Sequence, residues 1–282
     1  MDSSSLLQNL AVCSWSLRPR DADDLVAMVR ALGLEAVQLA LNDHRGSAGG
    51  RAIGDRLAAA GIRIVSGMFG TVGEDYTTLD SIRRTGGVVP DATWDENRRI
   101  AVEVAESAQA LGLGLVTFHA GFLPEDSSDP DYGKLVKRLR EMAAIFADRG
   151  LDLAFETGQE EGQVLREFLD HLAAPNVGVN FDPANMILYA KGDPVRAVRT
   201  LLPYLKQVHI KDAVATPTPG TWGREVVVGT GQVDWEAFLG VLVSSGYTGA
   251  LVIEREAGDN RAADILSAKQ HIESILQKGI SL

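Results

Sequence analysis

The sequence predicts an α/β fold, a single-domain (β/α)8 TIM barrel, and three observations support this prediction. Eight apolar, strand-like runs alternate with eight helical segments along the 282 residues without a long break. Predicted helices repeatedly end in glycine just before the next strand, as at Gly33 and Gly61. An open doubly wound sheet would carry a glycine-rich phosphate turn after the first strand, where Ser14-Trp15-Ser16 follows instead. Eight strand–helix units with right-handed crossovers close into a barrel.

The first four strand–helix units occupy the N-terminal half of the chain. In the first helix, the apolar residues Leu25, Met28, Val29 and Leu32 recur at helical spacing, and Gly33 follows them. Similar units then recur along this half. The predicted strands are residues 10–15, 35–41, 62–68 and 115–119, and the predicted helices are residues 21–32, 51–60, 95–111 and 132–148.

Four further units complete the predicted barrel. The strands are residues 151–156, 177–181, 205–210 and 250–253, and the helices are residues 162–172, 194–202, 235–245 and 261–277. Two connections, residues 70–93 and 212–232, are longer than routine loops, and both follow a strand. We therefore expect one domain over residues 1–282, with these two connections acting as lids on the active face.

Composition narrows the class of protein. The chain has 27 Lys and Arg residues against 38 Asp and Glu residues, for a net charge of -11, which disfavours nucleic acid as a partner. A single cysteine, Cys13, cannot form an internal disulfide, and residues 1–10 lack a basic start with a sustained apolar core. No run approaches the roughly 20 apolar residues of a membrane helix. A cytoplasmic protein without a membrane partner is expected.

Four successive predicted strands end in a group that can bind a metal. These groups are Glu156, Asp182, His209 and Glu254. Barrel closure would bring them together at one part of its mouth, where clustered carboxylates repel one another unless a cation lies among them. Three carboxylates and one imidazole suit a divalent ion such as Mn, Mg, Co or Zn. Taken singly, each acid could instead cap a helix or face solvent, and the histidine could be a hydrogen-bonded core residue.

Several motifs carry a resemblance to a known family. They are Phe155-Glu156, Phe181-Asp182-Pro183-Ala184-Asn185, Val208-His209-Ile210-Lys211-Asp212, Gly229-Thr230-Gly231-Gln232-Val233-Asp234, Gly246-Tyr247-Thr248-Gly249 and Ile253-Glu254-Arg255-Glu256. This pattern resembles the xylose-isomerase-like TIM-barrel superfamily. That superfamily includes sugar phosphate isomerases and epimerases, ketose 3-epimerases, inosose dehydratases and endonuclease IV.

The resemblance implies a cofactor and catalytic roles. In ketose 3-epimerases the four matching residues bind one divalent metal, usually manganese, and the two glutamates act as acid and base. If the resemblance holds for these roles, Glu156 and Glu254 would remove and return a proton on the carbon next to a carbonyl, through an enediolate. The implied substrate is a small sugar or polyol. Oligomeric state is left open, with a homo-oligomer as one alternative.

The resemblance also suggests substrate-side residues. His119 resembles the family's substrate-side histidine, although a neutral histidine bonded to a neighbouring strand would look the same. Arg224 lies where related epimerases place an arginine that contacts substrate oxygens, and a surface charge is its alternative. Asn185 departs from the family, because many members have a histidine three positions after the aspartate. An amide there cannot titrate near neutral pH.

Two more residues are candidates for substrate contact because of their positions on the predicted strands. Lys211 shares a strand face with His209, so it could reach substrate or a metal-binding carboxylate. Its alternative is a salt bridge with Asp212 or Glu256. Trp15, at the end of the first predicted strand, could form an apolar wall for a sugar ring or pack in the core.

The predicted function is a divalent-metal-dependent sugar isomerase or epimerase. An inosose-type dehydratase acting on a keto-inositol or keto-sugar is the alternative, because the same enediolate can expel a β-hydroxyl group. An endonuclease IV-like repair enzyme needs three zinc ions, and only five histidines are present, with His171 and His271 in predicted helices. A sugar-binding protein without activity is a further alternative.

Overall fold

Eight parallel strands form a closed barrel in this computed structural model, which describes residues 4–124 and 126–278. Two further short strands pair antiparallel as a hairpin. In chain order the strands are β1 (Leu10–Cys13), β2 (Ala36–Ala40), β3 (Arg63–Met68), β4 (Leu115–Phe118), β5 (Asp152–Glu156), β6 (Val177–Phe181), β7 (Leu205–Ile210), β8 (Asp212–Val214), β9 (Arg224–Val226) and β10 (Leu251–Ile253). The barrel closes where β1 pairs with both β2 and β10. The predicted single-domain TIM barrel is confirmed.

Helices surround the barrel and connect its strands. They are α1 (Ser4–Gln8), α2 (Ser14–Leu17), α3 (Ala22–Ala31), α4 (Gly46–Ala59), α5 (Leu79–Thr85), α6 (Asp91–Ala110), α7 (Pro130–Ala147), α8 (Gly162–Leu172), α9 (Pro183–Leu188), α10 (Pro194–Leu201), α11 (Trp235–Ser245) and α12 (Arg261–Lys278), with a 3-10 turn at Leu202–Tyr204. Among the described residues, no helix is both long and apolar enough to cross a bilayer.

Sequence periodicity explains how the helices pack. In α8, Leu165, Phe168, Leu169 and Leu172 fall on one helical face, and all four are buried. Side chains also mark where helices start, since Asp193 accepts a hydrogen bond from the Arg196 amide at the start of α10. Local patterning therefore fixes both the face that each helix buries and the point where it begins.

The first strand is shorter than predicted. It ends at Cys13, and the expectation that it continues to Trp15 is wrong, because the chain coils into α2. Serine hydroxyl groups here accept hydrogen bonds from backbone amides of neighbouring segments. Ser14 Oγ accepts a hydrogen bond from the Ala40 amide at 2.9 Å, and Ser16 Oγ accepts one from the Arg255 amide at 2.9 Å. The coil places the Trp15 side chain beside the barrel mouth.

Both long connections contain secondary structure. Residues 70–93 include α5, and the next helix begins at Asp91 rather than at the predicted residue 95. Residues 212–232 include the β8–β9 hairpin. Each connection contributes side chains to the cleft at the carboxyl ends of the strands, such as Glu74 and Trp222. Their movement as lids stays a prediction.

Candidate active site

The four predicted metal-binding residues converge at the barrel mouth. Glu156 ends β5, Asp182 follows β6, His209 lies in β7 and Glu254 follows β10. One ligand atom from each lies within 4.8 Å of the others, and all four residues are buried. Parallel pairing of neighbouring strands brings these chain-distant groups into one cluster.

Distances within the cluster leave room for a cation. His209 Nδ1 lies 3.5 Å from Glu156 Oε1, 3.9 Å from Asp182 Oδ2 and 3.4 Å from Glu254 Oε2. Within the described part of the chain, neither Nδ1 nor Asp182 Oδ2 has a hydrogen-bond partner, although both atoms are buried. Buried polar atoms without partners are costly, and an ion with ligands at roughly 2.0–2.6 Å would satisfy them. The donor set therefore fits a divalent metal.

The tautomer of His209 is set from the opposite side of its ring. Nε2 lies 2.7 Å from Gln38 Oε1, and the Gln38 amide nitrogen donates to Thr117 Oγ1 at 2.8 Å. Because Oε1 only accepts, Nε2 carries a hydrogen, which leaves Nδ1 as the ring nitrogen that can bind an ion. Asn180 Nδ2 lies 3.1 Å from the same nitrogen and has the Glu156 carboxylate as an acceptor at 3.5 Å.

Lys211 lies against the metal-binding cluster. Its Nζ is 2.9 Å from Glu254 Oε2, 3.0 Å from Glu256 Oε2 and 3.7 Å from Asp182 Oδ2. Burial opposes the charged form, yet the Glu254 and Glu256 carboxylates hold the pKa of Lys211 well above its usual value. Lys211 also lines the cleft, so it both pairs with Glu256 and faces the space for a substrate.

Glu254 accepts hydrogen bonds at both oxygens. Trp15 Nε1 donates to Oε1 at 2.7 Å, while Lys211 donates to Oε2. Although burial favours the neutral acid, Lys211 and His209 lower the pKa of Glu254 well below its usual value. Trp15 is thus more than an apolar wall, because it orients a carboxylate of the cluster.

Glu156 has a different set of neighbours. Asn185 Nδ2 donates to its Oε1 at 2.8 Å, and His119 Nε2 lies 3.8 Å from its Oε2. Burial lowers the pKa of His119, but Glu156 and further carboxylates outweigh it and raise the pKa overall. Asn185 Oδ1 also accepts from Lys211 at 3.4 Å. The amide that departs from the family pattern therefore bridges Glu156 and Lys211.

A cleft of about 660 Å³ opens above these residues. Its walls carry four aromatic side chains, Trp15, Tyr76, Tyr189 and Trp222. Arg224 does not line this cleft. It is exposed on β9, where its neighbours Gly223 and Glu225 line the cleft instead. A substrate contact by Arg224 stays a prediction.

Sequence reasoning missed the amides beneath the cluster. Gln38, Asn180 and Gln207 are fully buried, and Gln207 links Ser66 Oγ at 2.6 Å to Asn180 Oδ1 at 3.1 Å. The available signal was an amide within an otherwise apolar strand, since such a group must find a partner inside the barrel. Glu74 and Tyr76 were also missed, because their long connection has no strand or helix pattern around them.

Comparison with known proteins gives one curated relative over part of the chain. An uncharacterized Escherichia coli protein, YihM, is 31% identical over 103 residues. The matched segment covers 36% of this chain and 31% of YihM. The chain thus matches about a third of that relative's length.

Solved structures match over nearly the whole chain. A xylose isomerase domain protein from Planctomyces limnophilus is 33% identical, with 95% of this chain and 96% of that chain covered and a TM-score of 0.86. A xylose isomerase-like TIM barrel protein from Mycobacterium smegmatis, in complex with magnesium, has 16% identity, complete coverage of both chains and a TM-score of 0.73. An L-ribulose 3-epimerase has 16% identity, 95% and 94% coverage and a TM-score of 0.73. The last two are similarities of fold.

The family assignment rests on more than one match. The sequence model that describes the xylose isomerase-like TIM barrel matches residues 26–275. This span includes β2 to β10 and all four residues of the candidate metal-binding cluster. The chain belongs to the xylose isomerase-like TIM barrel family.

Proposed function

We propose that this protein is a divalent-metal-dependent isomerase or epimerase of a small sugar or polyol. The observation that carries the proposal is the pair of buried atoms without a hydrogen-bond partner, His209 Nδ1 and Asp182 Oδ2, among carboxylates at the base of the cleft. The magnesium-containing fold neighbour and the L-ribulose 3-epimerase neighbour support a metal and a sugar substrate. Manganese is the first expectation, with Mg, Co and Zn as alternatives.

Glu156, Asp182, His209 and Glu254 would hold the ion. When bound, it would supply a Lewis acid that polarises a carbonyl and stabilises the charge of an enediolate. Glu156 and Glu254 would exchange the proton on the carbon next to that carbonyl, one removing it and the other returning it. Trp15 and Lys211 hold Glu254 in place, while Asn185 holds Glu156.

Hydrogen–deuterium exchange at carbon provides the test. The manganese-loaded protein is incubated in deuterium oxide with a panel of free and phosphorylated ketoses and keto-inositols. We expect α-proton exchange, seen as uptake of deuterium without loss of water, for at least one substrate. Glu156→Gln and Glu254→Gln should each slow exchange by roughly 10²- to 10⁴-fold, the usual range for a general acid or base.

Glu236→Gln is the matched control, because Glu236 is exposed at the start of α11 and outside the cleft. This variant should exchange like the parent protein. No exchange on the whole panel, with metal bound, would count against the proposed function.

A dehydratase is the second candidate. His119 faces Glu156 and lines the cleft, and its raised pKa suits a group that protonates a departing β-hydroxyl. Mass spectrometry of the same reactions separates the two functions, since a dehydratase product has lost water. Sugar binding without turnover on this panel would favour a non-enzymatic binding protein.

A further inference from the structure

We propose that the cleft selects an uncharged sugar over its phosphate ester, and that Glu74 enforces this choice. The inference rests on the proposed sugar substrate and names its class. Three glutamates that line the cleft beyond the metal cluster, Glu74, Glu225 and Glu256, are here called the acidic rim. Phosphate recognition needs cations or free backbone amides, whereas a carboxylate without a cation partner repels a phosphate.

Lys211, which lines the cleft, and Arg255 beside it are already paired with carboxylates. Lys211 bridges Glu254 and Glu256, at 2.9 Å and 3.0 Å. Arg255 is held by Glu225 at 2.8 Å and by Asp264 at 2.9 Å. Within residues 4–124 and 126–278, no lysine or arginine that lines the cleft is left without a carboxylate partner. A phosphate would therefore have to displace an existing ion pair.

The N-terminus of α9 is also occupied. Helix α9 starts beside the metal cluster, and its amides at Ala184 and Asn185 donate to Asp182 Oδ1 at 2.8 Å and 3.0 Å. A helix N-terminus binds phosphate through such amides. Here a carboxylate of the cluster already uses them, so this end of α9 offers no phosphate site.

Glu74 is fixed in the cleft by its neighbours. Its Oε1 accepts from Thr71 Oγ1 at 2.7 Å and from the Gly87 amide at 3.3 Å, and its Oε2 lies 3.3 Å from Tyr76 Oη. None of these partners carries a positive charge, so none of them forms an ion pair with the carboxylate. Its oxygens can accept hydrogen bonds from sugar hydroxyls, while a phosphate dianion would be repelled.

The aromatic walls suit the same substrate class. Tyr189 and Trp222 pack edge to face with ring centroids 4.8 Å apart, and Trp15 lines the cleft beside the metal cluster. Aromatic faces bury the C–H surfaces of a sugar ring, and carboxylates bind its hydroxyls. Together they describe a site for a neutral polyhydroxy ligand.

The test is a matched pair of ligands, a free ketose and the phosphate ester of the same ketose. Both are titrated by calorimetry into manganese-loaded protein from which excess metal has been removed, at low and high salt. At low salt, we expect the free ketose to bind at least roughly tenfold more tightly than its phosphate ester. Glu74→Gln should reduce the ratio of the two dissociation constants, phosphate ester over free ketose, about three- to fivefold. High salt should reduce the same ratio in the parent protein.

Glu236→Gln, which removes the same charge from the remote helix α11, should leave the ratio unchanged. Equal or tighter binding of the phosphate ester, or failure of the free ketose to bind, would overturn the inference. An unchanged ratio of dissociation constants in Glu74→Gln would contradict the role proposed for Glu74. Calorimetry measures binding separately from α-proton exchange. Selective binding of the free ketose, with no exchange on any substrate, would therefore contradict the proposed function and leave the inference on selectivity standing.

Discussion

At the scale of single residues, His209 can serve the cluster only through Nδ1. Its other ring nitrogen, Nε2, is 2.7 Å from Gln38 Oε1, and the His209 side chain is completely buried. Partners behind a metal-binding histidine orient the ring and fix its tautomer. Gln38 is therefore a positioning residue, although it lies 171 positions away in the chain.

Gln38→Leu should weaken manganese binding by roughly 10- to 100-fold, the usual cost of losing such a partner. The reason is that Nε2 loses its acceptor, so Nδ1 is no longer reserved for the ion. Isothermal titration of metal into apoprotein measures the dissociation constant.

Gln38→Glu keeps an acceptor oxygen and should retain most of the affinity. Thermal unfolding of both apoproteins checks that each variant folds. Equal losses of affinity in the two variants would show that the acceptor at position 38 does not matter.

A bound metal ion would compete with Lys211 for one carboxylate, because Lys211 Nζ lies 2.9 Å from the same Glu254 oxygen that faces His209. Lys211→Met should lower the free energy of unfolding of the apoprotein by about 3 kcal/mol, since it leaves a buried carboxylate unpaired. It should also tighten manganese binding, because a positive charge beside the site is removed. Denaturant unfolding and metal titration measure the two effects.

Lys206→Met is the control for the removal of an ion pair. Lys206 Nζ lies 2.8 Å from Asp152 Oδ2, and this pair is partly exposed. Its loss should cost less than about 1 kcal/mol and leave metal affinity alone. If Lys211→Met binds manganese no more tightly than the parent, the competition does not exist.

At the scale of elements, one carboxylate anchors the connection between β7 and α11. Asp212 is fully buried, and its Oδ2 accepts from the amides of Gly229 and Gly231 at 2.9 Å and 3.1 Å and from Trp235 Nε1 at 3.2 Å. Its Oδ1 accepts from the Val233 amide at 3.1 Å. The second half of the predicted lid is thereby tied to the barrel. Of the two alternative salt-bridge partners of Lys211, Glu256 makes the contact, while Asp212 accepts these hydrogen bonds instead.

Asp212→Asn should lower the free energy of unfolding by about 2–4 kcal/mol. One oxygen becomes an NH₂ group that faces N–H donors, and the charge that strengthened these hydrogen bonds is lost. Chemical denaturation measures the change. Asp193→Asn makes the same substitution at the start of α10, where asparagine caps a helix as well as aspartate does, and should be nearly neutral. Similar effects at both positions would argue against a special role for Asp212.

At the scale of the whole molecule, the candidate metal-binding cluster joins β5, β6, β7 and β10, so a bound ion would cross-link half of the barrel. A ligand that binds only the folded state stabilises it, by about 2.7 kcal/mol when its concentration is 100 times the dissociation constant. Manganese should therefore raise the Tm of metal-free protein by roughly 5 °C. Chelation with EDTA should reverse the rise.

Asp182→Asn should abolish most of this metal-dependent shift in Tm. Asp182 Oδ1 caps α9, and asparagine can keep that cap while lacking the charge at the unpartnered Oδ2. Differential scanning calorimetry with manganese or EDTA measures the shift. A parent protein with the same Tm under both conditions would contradict a metal site in the cluster.

The periodicity of the sequence predicted the order of the barrel elements well. Strands β6 and β7 and helices α8 and α11 have the predicted bounds. Segments of three to seven residues, such as α2, α5, α9 and the hairpin, were not predicted. Such segments are too short to show a period, and side-chain contacts such as that of Ser14 Oγ decide them.

The sequence by itself determined that eight strands alternate with helices and that Glu156, Asp182, His209 and Glu254 stand at the ends of four of them. Both follow from local patterns, because alternation along a strand and an abrupt polar residue are visible in a few neighbouring positions. The folded chain alone shows that Gln38 meets His209, that Trp15 and Lys211 hold Glu254, and that Arg224 does not line the cleft. These contacts depend on barrel closure and side-chain direction, which no local pattern encodes.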